Sequence, residues 1–251
     1  MKIALIQMNA QIGNFEQNQE KILNLSLEAR RQGAHLAVFP ELALCGYPPM
    51  DLLDKPAFWE RAKTAAEELA QKLPKDLGVI FGNVRQGKYN SAFFCLQGEV
   101  RYQDKTLLPT YDVFDESRYF TPASEWRVFE FQNRRIFLTV CEDIWDGYGF
   151  NPHDRVENFD LVINISASPF ETGKMEKRLA LMKDLCLEKK VWGVYVNTVG
   201  ANDELIFDGR SFALTPDGKG AVFCKAFQED FQILDTEKVS DNPFFTGENA
   251  P

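Results

Sequence analysis

Short apolar runs without polar alternation recur along this chain, and Ile136-Phe137-Leu138-Thr139-Val140 is the one with the most consequence. A β-branched and aromatic stretch of that length predicts a buried strand, and a buried strand must be covered by other layers. Residues 35–39 and 161–166 form runs of the same kind, and residues 2–8 alternate before filling with apolar groups. Further strands are expected at 78–84, 192–197, 209–214 and 221–225. Hairpins are expected for 90–96 with 100–104 about Gln97-Gly98-Glu99, and for 126–131 with 135–140 about Gln132-Asn133. Helices are expected over 16–31, 58–73 and 174–190, where apolar residues recur at helical spacing. Hairpins mixed with helical crossovers predict an α/β protein with stacked sheets and helices outside.

Composition narrows the function classes. At 251 residues, 45% hydrophobic and 26% charged, the chain can bury one large core and shows no bias toward disorder. A net charge of −9 is the wrong sign for a nucleic-acid footprint. No apolar stretch approaches the roughly 20 residues of a membrane span. MKIALIQMNAQIG has too short an apolar part for a signal peptide and is expected to be the first strand instead. Cys45, Cys95, Cys141, Cys186 and Cys224 are dispersed, which favours reduced, cytoplasmic thiols over disulfides or a zinc site. With His35 and His153 as the only histidines, a Cys-His protease or a histidine-rich metal site is disfavoured, and no cofactor or metal is called for.

The strand ending at Val140 delivers Cys141 to a strand's C-terminal end, where open α/β sheets place reactive groups. Its neighbours Glu142, Asp143 and Asp146 are carboxylates, which raise a thiol's pKa and weaken it as a nucleophile. A catalytic Cys141 therefore needs a base and a cation from elsewhere. Glu41 in VFPELALCGYP and Lys105 in QDKTLLPTYDVFDESRYF are the candidates. An acid, an amine and a thiol at strand ends can run acyl transfer from an amide. Glu41 would take the thiol proton, Lys105 would hold that carboxylate and stabilise an oxyanion, and Cys141 would carry the acyl group. Residues 105–124 are aromatic, irregular and too long for a mere connector, as functional loops often are.

FPELALCGYP, DKTLLPTYDVFDESRYF and TVCEDIWD resemble, in order, three signature blocks of the nitrilase (carbon–nitrogen hydrolase) superfamily. YDVFDESRYF, CEDIW and NISASPFETGK are similar to the glutaminase-domain branch of glutamine-dependent NAD synthetases. The resemblance covers essentially the whole chain. It implies a four-layer αββα sandwich of two mixed sheets, and a Glu41–Lys105–Cys141 triad hydrolysing glutamine to glutamate and ammonia. It implies that Glu116 orients or tunes the lysine, and that Tyr111, Glu142, Ser168 and Lys174 recognise glutamine with Trp145 walling the pocket. Glu142 would meet an α-ammonium, and Ser168 with Lys174 an α-carboxylate.

Enzymes of that branch also carry a synthetase domain with a serine- and glycine-rich pyrophosphate loop. No such loop occurs here, since GYG at 147–149 and GKG at 218–220 lack its context. Synthetase activity is therefore not expected of this chain. The expected organisation is an amidase domain over 1–240 and a tail or truncated linker over 241–251, with Phe244 and Phe245 available for a subunit contact. The implied partners are a linked or associated NAD synthetase domain and further copies in a homo-oligomer. Two alternatives stay open. One is a stand-alone amidase acting on another small ω-amide or carbamoyl compound, and the other is a silent scaffold domain.

Overall fold

Alternation along single strands sets the layers of this protein. In the computed structural model, which describes residues 1–238, Ile3 and Leu5 of the strand Lys2–Gln7 enter one apolar cluster while Ala4 and Ile6 enter another. The strand Arg134–Val140 behaves alike: Ile136, Leu138 and Val140 join the first cluster, and Phe137 joins a third. Successive side chains of a strand point to opposite faces, so these strands are buried on both. The shared cluster, with Val38, Ile80, Phe94, Ile163 and Val194, is the seam between two sheets. Each fully buried Leu, Ile or Phe there contributes about 1.5–3 kcal/mol.

In chain order the first half contains β1 (Lys2–Gln7), α1 (Phe15–Arg31), β2 (Leu36–Val38), α2 (Pro56–Lys72), β3 (Gly78–Arg85), β4 (Tyr89–Leu96) and β5 (Glu99–Asp104). After the short α3 (Glu116–Tyr119) come β6 (Val128–Phe131), β7 (Arg134–Val140), β8 (Leu161–Ser166), α4 (Lys174–Lys189) and β9 (Trp192–Asn197). The last elements are β10 (Val199–Asn202), β11 (Leu205–Asp208), β12 (Phe212–Leu214), β13 (Gly220–Phe223) and β14 (Asp230–Asp235). The sheets run β14-β1-β2-β3-β4-β5 and β13-β12-β9-β8-β7-β6. In both, two parallel pairings are flanked by antiparallel ones, in the same sequence when the second sheet is read from β6, although the chain has no internal sequence repeat. α1 and α2 cover the outer face of the first sheet through Ile22, Ala62, Ala65 and Leu69, and α4 covers the second through Met175, Met182 and Leu185. This is the expected αββα sandwich.

Local chemistry explains most boundaries. Asn14 caps α1 by accepting the Gln17 N–H, and Pro56 opens α2, two residues earlier than expected, where its missing N–H costs nothing. Both expected hairpin turns form: Gln97-Gly98 and Gln132-Asn133 all have positive φ, as two-residue turns between twisted strands require. The strand expected at 209–214 begins only at Phe212, because Gly209 and Arg210 have positive φ, and the one expected at 221–225 ends at Phe223. The β10–β11 hairpin and β14, which closes the first sheet against β1, were not expected. No helix among the described residues is long and apolar enough to cross a membrane. The expected tail at 241–251, with Phe244 and Phe245, lies outside the described residues.

Candidate active site

The two sheets bring several strand ends to one edge of the seam. Glu41 follows β2, Lys105 directly follows β5, Cys141 directly follows β7, and Ala167 and Ser168 follow β8. Gly82 of β3 permits the turn after β2, since a Cβ there would stand 2.0 Å from the Leu42 nitrogen and 2.7 Å from the Glu41 Cα. The Ala167 N–H donates to Glu41 Oε2 at 2.7 Å, joining the first sheet to the second at this edge.

Lys105 is 1% exposed and sits between two buried carboxylates. Its Nζ donates to Glu41 Oε1 at 2.9 Å and lies 2.9 and 2.8 Å from the two oxygens of Glu116. Asn90 Nδ2 also donates to Glu41 Oε1, at 2.6 Å, and the Tyr47 hydroxyl donates to Glu116 at 3.0 Å. Burial alone would push the ammonium's pKa down, but Glu116 and Glu41 outweigh it and hold Lys105 well above its ordinary value. Burial raises Glu116 to about 7, with Lys105 pulling it down and Glu41 pushing it up. Two carboxylates and one ammonium leave a net negative cluster that can take up a proton near neutrality.

Cys141 opens a single 3₁₀ turn, Cys141–Ile144, with φ of +45°. A side chain in that left-handed region is strained by about 1–2 kcal/mol, a feature often found at functional positions. Asn164 Nδ2 donates to its carbonyl oxygen at 3.2 Å. Cys141 is 4% exposed. Burial first, then the carboxylates of Glu41, Glu142 and Glu116, hold it well above the ordinary thiol range, while Lys105 pulls the other way without prevailing. The direction is the one expected from the neighbouring carboxylates, with burial as its largest cause. At rest the sulfur is a neutral thiol, and its attack on a carbon requires a proton acceptor.

Asp143 has a role the sequence did not reveal. It is buried; its Oδ1 accepts the Thr106 N–H, the Thr106 hydroxyl and the Leu107 N–H at 2.8, 2.6 and 2.9 Å, and its Oδ2 accepts the Val140 N–H at 2.9 Å. One carboxylate thus clamps the backbone after Lys105 to the turn that carries Cys141. An amide cannot accept at its nitrogen, so Asp143→Asn faces a buried N–H with another donor. The variant should lose about 1–3 kcal/mol of stability, read by urea unfolding. Turnover should fall about 10²-fold, because Lys105 and Cys141 lose their register. An unchanged unfolding midpoint and rate would remove the clamp assignment.

The remaining expected residues line the same edge. Glu142 is buried, and its Oε1 accepts the hydroxyls of Tyr111 at 2.7 Å and Tyr148 at 2.9 Å. Lys174, the first residue of α4, holds its ammonium 5.6 Å from the Trp145 ring, 5.9 Å from the Phe114 ring and 3.4 Å from Glu171. Ser168 is the residue least available to a ligand. Its Oγ accepts from Arg178 Nε at 3.1 Å, and its N–H and carbonyl bond to Asn197. Arg178 is fully buried, pairs with Asp208 at 2.8 Å and also binds the carbonyls of Ser168 and Pro169, fixing this wall. Next to Glu116, a cavity of about 260 Å³ is lined by Tyr47, Leu53, Phe114, Tyr119 and Leu205. Sequence reasoning missed Tyr47, Asn90, Asp143, Tyr148 and Arg178, of which only Asp143, beside the cysteine, carried a signal.

Comparison with known proteins shows the family and the fold. The family model described as carbon–nitrogen hydrolase matches residues 2–238. A glutamine-dependent NAD(+) synthetase from Synechocystis sp. is 42% identical over 253 residues, covering 92% of this chain and 45% of the relative. One from Acinetobacter baylyi is 38% identical over 234 residues, covering 91% and 43%. The solved glutamine-dependent NAD+ synthetase of Acinetobacter baumannii, in complex with adenosine diphosphate, superposes with a TM-score of 0.85 at 37% identity, covering 92% of this chain and 44% of that one. An amidase from Nesterenkonia sp. shares the fold at a TM-score of 0.80 and 22% identity, covering 94% of this chain and 89% of that one. The chain thus spans about half the length of the curated relatives it matches.

Proposed function

This chain belongs to the carbon–nitrogen hydrolase family, and on that footing we propose that it hydrolyses the side-chain amide of glutamine to glutamate and ammonia through a thioester on Cys141. The observation that carries the reading is the buried Glu41–Lys105–Glu116 cluster set at the same sheet edge as a strained, neutral thiol on which its charges act. Glu41 takes the Sγ proton as sulfur bonds to the amide carbon, and the Lys105 ammonium stabilises the oxyanion that forms. As the C–N bond breaks, Glu41 returns that proton to the departing nitrogen, which leaves as ammonia. Glu41 then deprotonates a water that attacks the thioester, glutamate is released and the thiol regains its proton. Beside the cluster, the Glu142 carboxylate suits an α-ammonium and Lys174, with Tyr111 and Trp145 near it, suits the rest of an amino acid, while Ser168, its Oγ held by Arg178, shapes the wall.

The relatives are named for NAD synthesis and are about twice as long as this chain. The ammonia would accordingly pass to a synthetase domain, covalently linked or associated. The test is ammonia release from glutamine beside asparagine and simple amides, with a glutamine-mimicking electrophile located by mass spectrometry. Glutamine should be preferred and the adduct should fall on Cys141, with Cys45, Cys95, Cys186 and Cys224 unlabelled. Turnover of a simple amide in preference to glutamine would favour the stand-alone amidase. Labelling that misses Cys141 would end the proposal.

The cluster also sets a pH dependence. Glu116 gains its proton as pH falls through about 7. Losing that negative charge beside Lys105 makes Glu41 a weaker proton acceptor, so kcat/KM should decline on the acid side with an apparent pKa near 7, a property of the coupled groups. Glu116→Gln should move that limb to lower pH. A wild-type-like profile in the variant would assign the limb to another group.

A further inference from the structure

We propose that Tyr148 is a positioning residue that makes this site selective for an α-amino acid amide, acting through Glu142. The inference rests on the glutamine reading and deepens it. Tyr148 lies in the Gly147-Tyr148-Gly149 turn, which the catalytic chemistry leaves without a part. Both glycines have positive φ, +101° and +77°, and an added Cβ at either would meet nothing within 4 Å. Their role is thus conformational: they let the chain reverse and bring Tyr148 back over the residue that follows the nucleophile. Phe150, just beyond, anchors the turn by edge contact with Trp126 at 6.0 Å.

The Tyr148 hydroxyl donates to Glu142 Oε1 at 2.9 Å, and Tyr111 donates to that same oxygen at 2.7 Å from the 105–124 loop. Two phenols from separate segments fix the plane of a buried carboxylate. Among the described residues, no donor lies on Oε2. A phenol donates one proton and adds no charge, so the pair orients Glu142 without neutralising it. The carboxyl group keeps a free acceptor edge for a cation, and the cation of an amino acid substrate is its α-ammonium. A substrate without that group gains nothing from the arrangement.

Tyr148→Phe deletes one oxygen and keeps the ring, so the fold is preserved. In the 251-residue chain carrying Cys141→Ala, calorimetry compares glutamine with glutaramate, the same amide without the amino group. Adding Tyr148→Phe should weaken glutamine about tenfold and glutaramate less than about twofold. With Cys141 intact, the single variant should raise the glutamine KM about tenfold and leave kcat near its starting value. An undiminished preference for glutamine, or equal weakening of both ligands, overturns the role of Tyr148 while leaving the glutaminase reading in place. Failure of the Cys141→Ala chain to bind glutamine in preference to glutaramate, with no ammonia release by the wild type, overturns both.

Discussion

Cys141→Ala should lower glutamine turnover by at least roughly 10⁴-fold while leaving the protein folded. The sulfur is the atom that would hold the acyl group, with the Glu41–Lys105 pair as its proton acceptor and cation. Cys141 is buried among Val140, Ile165 and their neighbours rather than outside the core. Even so, the substitution removes a single heavy atom, and the left-handed backbone strains alanine much as it does cysteine. A loss of about 1 kcal/mol is expected, which moves the melting temperature of a chain this size by about 2–4 °C. Ammonia release and a thermal scan read the two effects separately. Retention of more than a tenth of the rate would show that the thiol is not the nucleophile.

Lys105→Ala should be as inactive and far less stable. Removing the ammonium leaves Glu41 and Glu116 buried and facing each other, and breaking a buried ion pair from one side typically costs about 3–5 kcal/mol. The sign of the pH dependence follows from Glu116. Burial already raises its pKa from 4.5 to about 7 with Lys105 opposing, and without the lysine that opposition is gone. A carboxyl raised in the folded state favours folding once protonated, so in the variant stability should return as pH falls from above about 7 towards 4.5. Lys105→Ala with Glu116→Gln should regain part of the melting temperature and none of the activity. A single variant as stable as wild type at pH 8 would contradict the ion cluster.

Local signals recovered most of the scaffold. The uninterrupted runs at β7, β8 and β2, the turn residues at both hairpins and the helical spacing in α1, α2 and α4 each depend on neighbours a few residues away. β14 was not expected because the segment is short, the adjacent Ile233 and Leu234 break its alternation, and its pairing partner, β1, lies at the other end of the chain. The β10–β11 hairpin was not expected because Val199–Asn202 and Leu205–Asp208 are four residues each and carry little periodicity.

At the site, the residue types of Glu41, Lys105 and Cys141 and their places at strand ends were legible from the chain alone, because a buried strand's end is a local property. Their meeting was not. It requires the Ala167 N–H on Glu41 and the Asp143 clamp on the backbone after Lys105, made between segments far apart in the chain, and the Arg178 brace that ties α4 to the loop carrying Ser168. Charge followed the same division. Composition showed Glu142 and Asp143 beside the thiol, but only packing decided that Asp143 spends its oxygens on backbone donors and that burial governs the sulfur. Hydrogen bonds and desolvation act over a few ångströms of space rather than of sequence, so the chain determined which groups were present and the tertiary fold determined which of them interact.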